Sequence, residues 1–166
     1  MIWIALLLLL IPFGLVPFFG APYVPSKSRT LIPFLKELKV KKGQTLLDIG
    51  SGDGTVLKHA AKELGLKTHG IELNPFLVTV TRLRLFSIRK QATVQFGDLW
   101  AADLPDVDVI YAFIMPKYMK RLEEKIQSSV TKKTLVVTYS FEFPGRKPFQ
   151  EKDGFKAYHF APLAKK

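Results

Sequence analysis

Thr45-Leu46-Leu47-Asp48-Ile49-Gly50-Ser51-Gly52-Asp53-Gly54-Thr55 decides the fold. An apolar run of strand length passes directly into three glycines at alternate positions. Val56, Leu57, Ala60, Ala61 and Leu64 then recur on one face of a helix that stops at Gly65. Glycines at a strand-to-helix turn let the backbone bend sharply and come close to a ligand. The spacing is G-x-G-x-G, with Thr55 where a dinucleotide fingerprint has its third glycine. Asp53 falls at the positive end of the following helix, where a pyrophosphate would have to compete with it. The loop therefore disfavours a nicotinamide or flavin dinucleotide and suits a phosphate-free, positively charged ligand. Read alone, it is equally a tight βα turn in which Asp48 and Asp53 bind local amides.

Outward from the loop the alternation continues. Lys67 to Leu73 reads as a second strand, and Asn74-Pro75 as a helix N-cap with proline at the first helical position, opening a helix to about Arg89. Ala92 to Gly97 is a third strand and Val107 to Met115 a fourth. Met119, Leu122 and Ile126 mark a helix, Thr134 to Phe141 a fifth strand, and Phe155 to Ala161 a last one. Leu31, Ile32, Leu35 and Leu38 form a leading helix that tolerates Pro33 only in its first turn. Strands alternating with helices predict parallel βαβ units in a Rossmann-like three-layer α/β sandwich. Each of the first three strands delivers an acid to the carboxyl edge of that sheet: Asp48, Glu72 and Asp98. Open α/β sheets bind ligands at this edge, and an acid about 20 residues past the glycines is where ribose hydroxyls are held.

The chain has 166 residues, the size of one domain, and no cysteine. A disulfide framework, a thiolate zinc site and a cysteine nucleophile are excluded, and three scattered histidines predict no metal centre. The net charge is +11, which fits an anionic membrane surface, a nucleic acid or simple solubility. Residues 1–25 carry no charge and 19 of them are hydrophobic, enough to cross a bilayer. No charged side chain precedes the run and no small-residue cleavage site follows it, which favours a retained anchor over a cleaved signal. A re-entrant or interfacial segment kinked at Pro12 and Pro17 stays open. Residues 26–42 then carry six basic side chains against Glu37, which predicts a single-pass anchor with the remaining chain on the cytoplasmic side. The expected organisation is an anchor over 1–21, a linker and leading helix over 22–42, and a catalytic domain over 43–166.

Residues 43–142 resemble the seven-strand (class I) S-adenosylmethionine-dependent methyltransferases. The carriers are Leu46–Gly54, the acid Glu72 and Gly97-Asp98. More of the chain is similar to the membrane-associated protein lysine methyltransferases that modify the ATP synthase c subunit and the adenine nucleotide translocase. That likeness runs through Pro22-Tyr23-Val24-Pro25-Ser26, the Asp48–Gly54 loop, Glu72-Leu73-Asn74-Pro75 and Gly97-Asp98-Leu99-Trp100. The resemblance implies S-adenosyl-L-methionine as cofactor, held by Asp48, Gly50, Ser51, Gly52, Asp53, Gly54, Glu72, Leu73, Asn74, Gly97, Asp98 and Leu99. It implies a membrane-protein substrate. For the reaction itself, Tyr23 is expected to fold over the cofactor and Glu142, the one acid near the end of strand five, to steer the acceptor ammonium. Trp100, Tyr111, Phe113, Tyr139, Phe141 and Phe143 gather near strands three to five as candidate acceptor walls. Met115-Pro116-Lys117-Tyr118 stands where nucleobase methyltransferases place Asn-Pro-Pro-Tyr, so no specific nucleic acid is expected. A methyltransferase for a small or lipid acceptor, and a non-catalytic membrane-tethered binding module, remain the alternatives.

Overall fold

The computed structural model describes residues 28–163. The anchor expected over 1–21, and Tyr23, lie outside the described residues. Among the described residues no helix is long and apolar enough to cross a membrane.

Seven strands form one sheet: β1 (Thr45–Ile49), β2 (Lys67–Glu72), β3 (Ala92–Phe96), β4 (Val109–Ala112), β5 (Thr134–Tyr139), β6 (Gln150–Lys152) and β7 (Phe155–Phe160). Their order is β3-β2-β1-β4-β5-β7-β6. β1 to β5 run parallel to one another, while β7 runs antiparallel to both β5 and β6. The chain winds outward through β1, β2 and β3, then restarts on the other side of β1 with β4. That reversal is the topological switch point, and it opens a crevice at the carboxyl ends of β1 and β4. The mostly parallel α/β sandwich expected from the sequence is present.

Three helices cover one face: α1 (Ser28–Glu37), α2 (Thr55–Leu64) and α3 (Pro75–Leu85). Leu31 and Leu35 of α1, Val56 and Leu57 of α2 and Val78 and Leu85 of α3 share one core with Leu46 and Val109 of the sheet. The other face packs α4 (Met119–Ser129) through Met119, Leu122 and Ile126 onto Leu47, Ile110 and Val136. Residues 97–108 form no helix there and send Leu99, Trp100, Ala102 and Leu104 against that core instead. The β2–β3 end of this face therefore stays polar, with Lys67, Thr93 and Gln95 exposed and His69 Nδ1 hydrogen-bonded to Thr93 Oγ1 at 2.8 Å.

Three expectations need correction, and one strand was not foreseen. Pro33 is inside α1 rather than in its first turn, because the helix begins at Ser28. It is exposed, so the Arg29 carbonyl that loses a partner faces water. β4 ends at Ala112, since Phe113 to Met115 leave the sheet. The helix expected to run to Arg89 ends at Leu85 and continues as a 3₁₀ turn over Phe86–Ile88. β6 was not anticipated; it pairs with β7 across Asp153-Gly154, both at positive φ (52° and 84°).

Candidate functional site

The glycine loop is held from three sides. Gly50 and Ser51 donate their N–H groups to the Ile71 carbonyl at 2.9 and 3.1 Å, which seats the loop on β2. Gly52 donates to Glu72 Oε2 at 2.8 Å and accepts from Thr81 Oγ1 of α3 at 2.8 Å. Asp53 accepts from the Thr55 N–H and hydroxyl at 3.1 and 2.9 Å and from Arg84 of α3 at 2.5 Å. Arg84 also reaches Thr55 Oγ1. Thr81 and Arg84 were not candidates from the sequence. The available signal was a polar Thr81 among Leu77, Val78 and Leu85 on the buried face of α3.

Glu72 is the hub. Its carboxylate is buried and takes the N–H of Gly52 on one oxygen and that of Asn74 on the other, both at 2.8 Å. Its main-chain carbonyl accepts from Gly97 N at 3.0 Å. One residue thus draws together the glycine loop, the start of α3 and the turn that carries Asp98. Asn74 has a structural duty beside this: its side chain caps α3 by accepting from the N–H groups of Phe76 and Leu77. Asp98 is exposed, and its Oδ1 accepts from Trp100 N at 2.9 Å. Leu73 and Leu99 are half-buried beside these turns.

Asp48 is buried at the end of β1, in register with Gly70 on one side and Tyr111 on the other. Burial, then the Glu72 and Asp53 carboxylates, push its carboxyl up to about 8. Burial first, and then Asp48, also raise the neighbouring Tyr111 phenol. Hydrogen bonds from Thr55 and the Arg84 guanidinium outweigh the desolvation of Asp53 and hold it below the usual carboxylate range. The site gathers the carboxyl groups of Asp48, Asp53 and Glu72, and an added cation would favour the ionised form of Asp48.

The three loop glycines differ. A Cβ on Gly50, which has φ +73°, would meet nothing within 4 Å, so open space lies over it. A Cβ on Gly54 would strike Thr81 Cγ2 at 2.5 Å, so that glycine serves helix packing. Gly52 also has positive φ (54°). The Ser51 hydroxyl is buried without a hydrogen-bond partner, wedged above Gly70.

Across the crevice, Phe113 packs edge-on to Tyr139 at 5.1 Å and parallel to Phe141 at 6.4 Å. Tyr139 reaches Phe155, which Tyr111 also touches. The aromatic group expected here is divided. Phe143 is buried in the other core against Tyr158 and Phe160, and Trp100 pairs with Tyr118. Ser140 causes the division: at φ 65° it makes a tight turn in which Phe141 N donates to Tyr139 O, breaking the strand's alternation. Glu142 is 56% exposed with Lys156 Nζ at 3.5 Å, and is not joined to the acids around Glu72. Among the described residues no group of histidines and acids could hold a metal ion.

The sequence profile of the ANTKMT methyltransferase domain matches residues 48–150. A Xenopus laevis lysine N-methyltransferase of the ATP synthase c subunit is 34% identical over 129 residues, covering 76% of this chain and 56% of that protein. The adenine nucleotide translocase lysine N-methyltransferase of Mus musculus is 34% identical over 130 residues, with the same shares covered. The chain thus spans about half the length of these relatives. Among solved structures, an RNA methyltransferase from Salinibacter ruber in complex with S-adenosyl-L-homocysteine superposes with a TM-score of 0.76 at 25% identity, covering 86% of this chain and 95% of that one.

Proposed function

The chain belongs to the ANTKMT methyltransferase domain family, and from that premise we propose that it is an S-adenosylmethionine-dependent protein-lysine N-methyltransferase acting on a membrane protein. The observation that carries the reading is Glu72, buried and oriented by the Gly52 and Asn74 N–H groups, with acceptor capacity to spare on both oxygens for a ribose diol. The Asp48 carboxyl lies nearby and a sulfonium would favour its ionised form, and the open space over Gly50 admits a ligand against the backbone. These features fit S-adenosylmethionine, with Glu72 holding the ribose and the Gly97-Asp98-Leu99 turn beside the adenine. When bound, it supplies a methyl group on positive sulfur that leaves behind a neutral thioether.

The protein's share of the reaction is alignment and exclusion of water. A lysine acceptor reacts as the free amine, so its proton must leave first. The apolar ring faces of Phe113, Tyr139 and Phe141 would desolvate an ammonium and lower its pKa. In this reading Glu142 attracts the incoming ammonium, and Tyr23 closes over the cofactor. Residues 1–21 tether the domain to a membrane, with 22–42 as linker and leading helix and 43–166 as the catalytic domain on the cytoplasmic side. A link of only a few residues, at about 3.3 Å each, keeps the site within roughly 20 Å of the bilayer and raises the effective concentration of membrane-embedded acceptors.

Titration calorimetry with S-adenosylmethionine, followed by transfer of labelled methyl to a membrane fraction, tests the proposal. Binding followed by label in protein supports it. Label only in lipid or RNA removes the lysine acceptor, and absence of binding removes the enzyme.

A further inference from the structure

The outer face of α3 is unusual for a helix packed on a sheet. Its inner face holds the glycine loop through Thr81 and Arg84, yet Phe76, Leu83 and Phe86 point outward with 43%, 73% and 65% of their surface exposed. With half-buried Val80 they recur at intervals of three to four residues, so they form one stripe about 15 Å long. The charge carried by this stretch of chain is of one sign only. Residues 75–97 hold Arg82, Arg84, Arg89 and Lys90 and no acid. Arg84 turns inward to Asp53, while Arg82, Arg89 and Lys90 are exposed. The Arg89 guanidinium lies 4.6 Å over the Phe86 ring and donates to the Phe86 carbonyl at 3.1 Å, which sets a cation beside the apolar surface.

We propose that this face of α3 docks on an anionic lipid bilayer, with Leu83 and Phe86 entering the headgroup boundary and Arg82, Arg89 and Lys90 meeting lipid phosphates. Apolar side chains with a basic border and no acid are the composition that interfacial helices use. A stretch of 23 residues with basic side chains and no acid complements negative lipid. α1 lies in the same helical layer as α3, and in sequence it follows the charge-free residues 1–25 after Ser26 and Lys27. Docking there would bring a bilayer against the helix that fixes the cofactor loop. This inference does not depend on which acceptor is methylated.

The chain lacks cysteine, so one introduced thiol can carry an environment-sensitive fluorophore. The full chain would be labelled at Leu83→Cys or Phe86→Cys, with Glu124→Cys on α4 as the control. Each would be reconstituted into vesicles of phosphatidylcholine alone or with about 30 mol% phosphatidylserine. On the anionic vesicles the labels at 83 and 86 should shift to the blue and be quenched by shallow lipid-borne quenchers, while that at 124 stays in water. Salt at about 0.5 M should weaken the quenching. Replacing Arg82, Arg89 and Lys90 together by Gln should reduce it at least fivefold with an unchanged circular dichroism melt. Three results overturn the proposal: labels at 83 and 86 as exposed as that at 124; burial without lipid quenching, which assigns the face to residues 1–27 or a second copy; or quenching indifferent to charge, which removes the anionic recognition.

Discussion

The Glu72 carboxylate accepts the Gly52 N–H at 2.8 Å across 20 residues of sequence, tying the end of β2 to the glycine loop. The loop's geometry and the proposed ribose contact therefore depend on one side chain. Glu72→Ala leaves the buried Gly52 and Asn74 N–H groups without their acceptor, at a cost of about 1–3 kcal/mol each. It should lower the urea midpoint and weaken S-adenosylmethionine binding at least tenfold. Glu72→Gln keeps one acceptor oxygen and should fall between. Unchanged affinity in calorimetry for the Ala variant removes Glu72 from the site.

Gly50 and Gly54 share φ +73° but should fail differently. Alanine in the left-handed region costs about 1–2 kcal/mol at either position. At Gly54 the added Cβ also strikes Thr81 Cγ2 at 2.5 Å, so Gly54→Ala should be the less stable variant. Thr81→Ser should restore part of that loss, because it deletes the clashing methyl and keeps the hydroxyl bonded to Gly52 O. Gly50→Ala should carry only the backbone cost, with no clash added, and lose cofactor affinity as well. Equal unfolding midpoints for the two glycine variants contradict this division.

Asp48 imposes a pH dependence. Its carboxyl titrates near 8 in the folded chain and near the ordinary 3.8 when unfolded. Between those values the folded state keeps a proton that the unfolded state has released, so stability falls as pH rises from about 4 to about 8 and levels above. Asp53 and Asp108, both held low, act oppositely and weaken the fold only at more acidic pH. Urea midpoints at pH 5, 7 and 9 should fall for the wild type and fall less for Asp48→Asn. A cationic ligand favours ionised Asp48, so S-adenosylmethionine should bind more tightly as pH rises toward 8, and S-adenosylhomocysteine, which lacks the charge on sulfur, should show less of this trend. Parallel trends for the two ligands contradict a sulfonium beside Asp48.

Arg84 is a positioning residue. Its pair with Asp53 is partly exposed, with 32% and 17% of the side chains accessible, so the coupling measured by an Arg84→Met and Asp53→Asn cycle should be only about 0.5–1 kcal/mol. Cofactor affinity should drop several-fold in Arg84→Met, through loss of loop order. A lost unfolding transition, rather than weaker binding by a folded variant, would mark a purely structural role.

The glycine loop, Glu72 and the Asn74-Pro75 cap were legible in the sequence because each is local chemistry at the end of an apolar run. Arg84 was not: it meets Asp53 across 31 residues, and no local pattern encodes that meeting. β6 could have been found, since Asp153-Gly154 is a hairpin turn signal, but Gln150–Lys152 has no apolar alternation to announce a strand. Tyr139, Phe141 and Phe143 were expected to gather with the other aromatics near strands three to five, the fifth strand running to Phe141. The left-handed Ser140 divides them, and a serine gives no warning of positive φ.

The central claim is methyl transfer to lysine on a membrane protein, and mass spectrometry of membrane proteins exposed to the full chain and S-adenosylmethionine tests it most directly. Lysines gaining one or more methyl masses with the wild-type chain, and none with Glu72→Ala, is the result this account predicts. Methyl groups found only on lipid, nucleic acid or soluble small molecules, with every membrane-protein lysine unchanged, would contradict it.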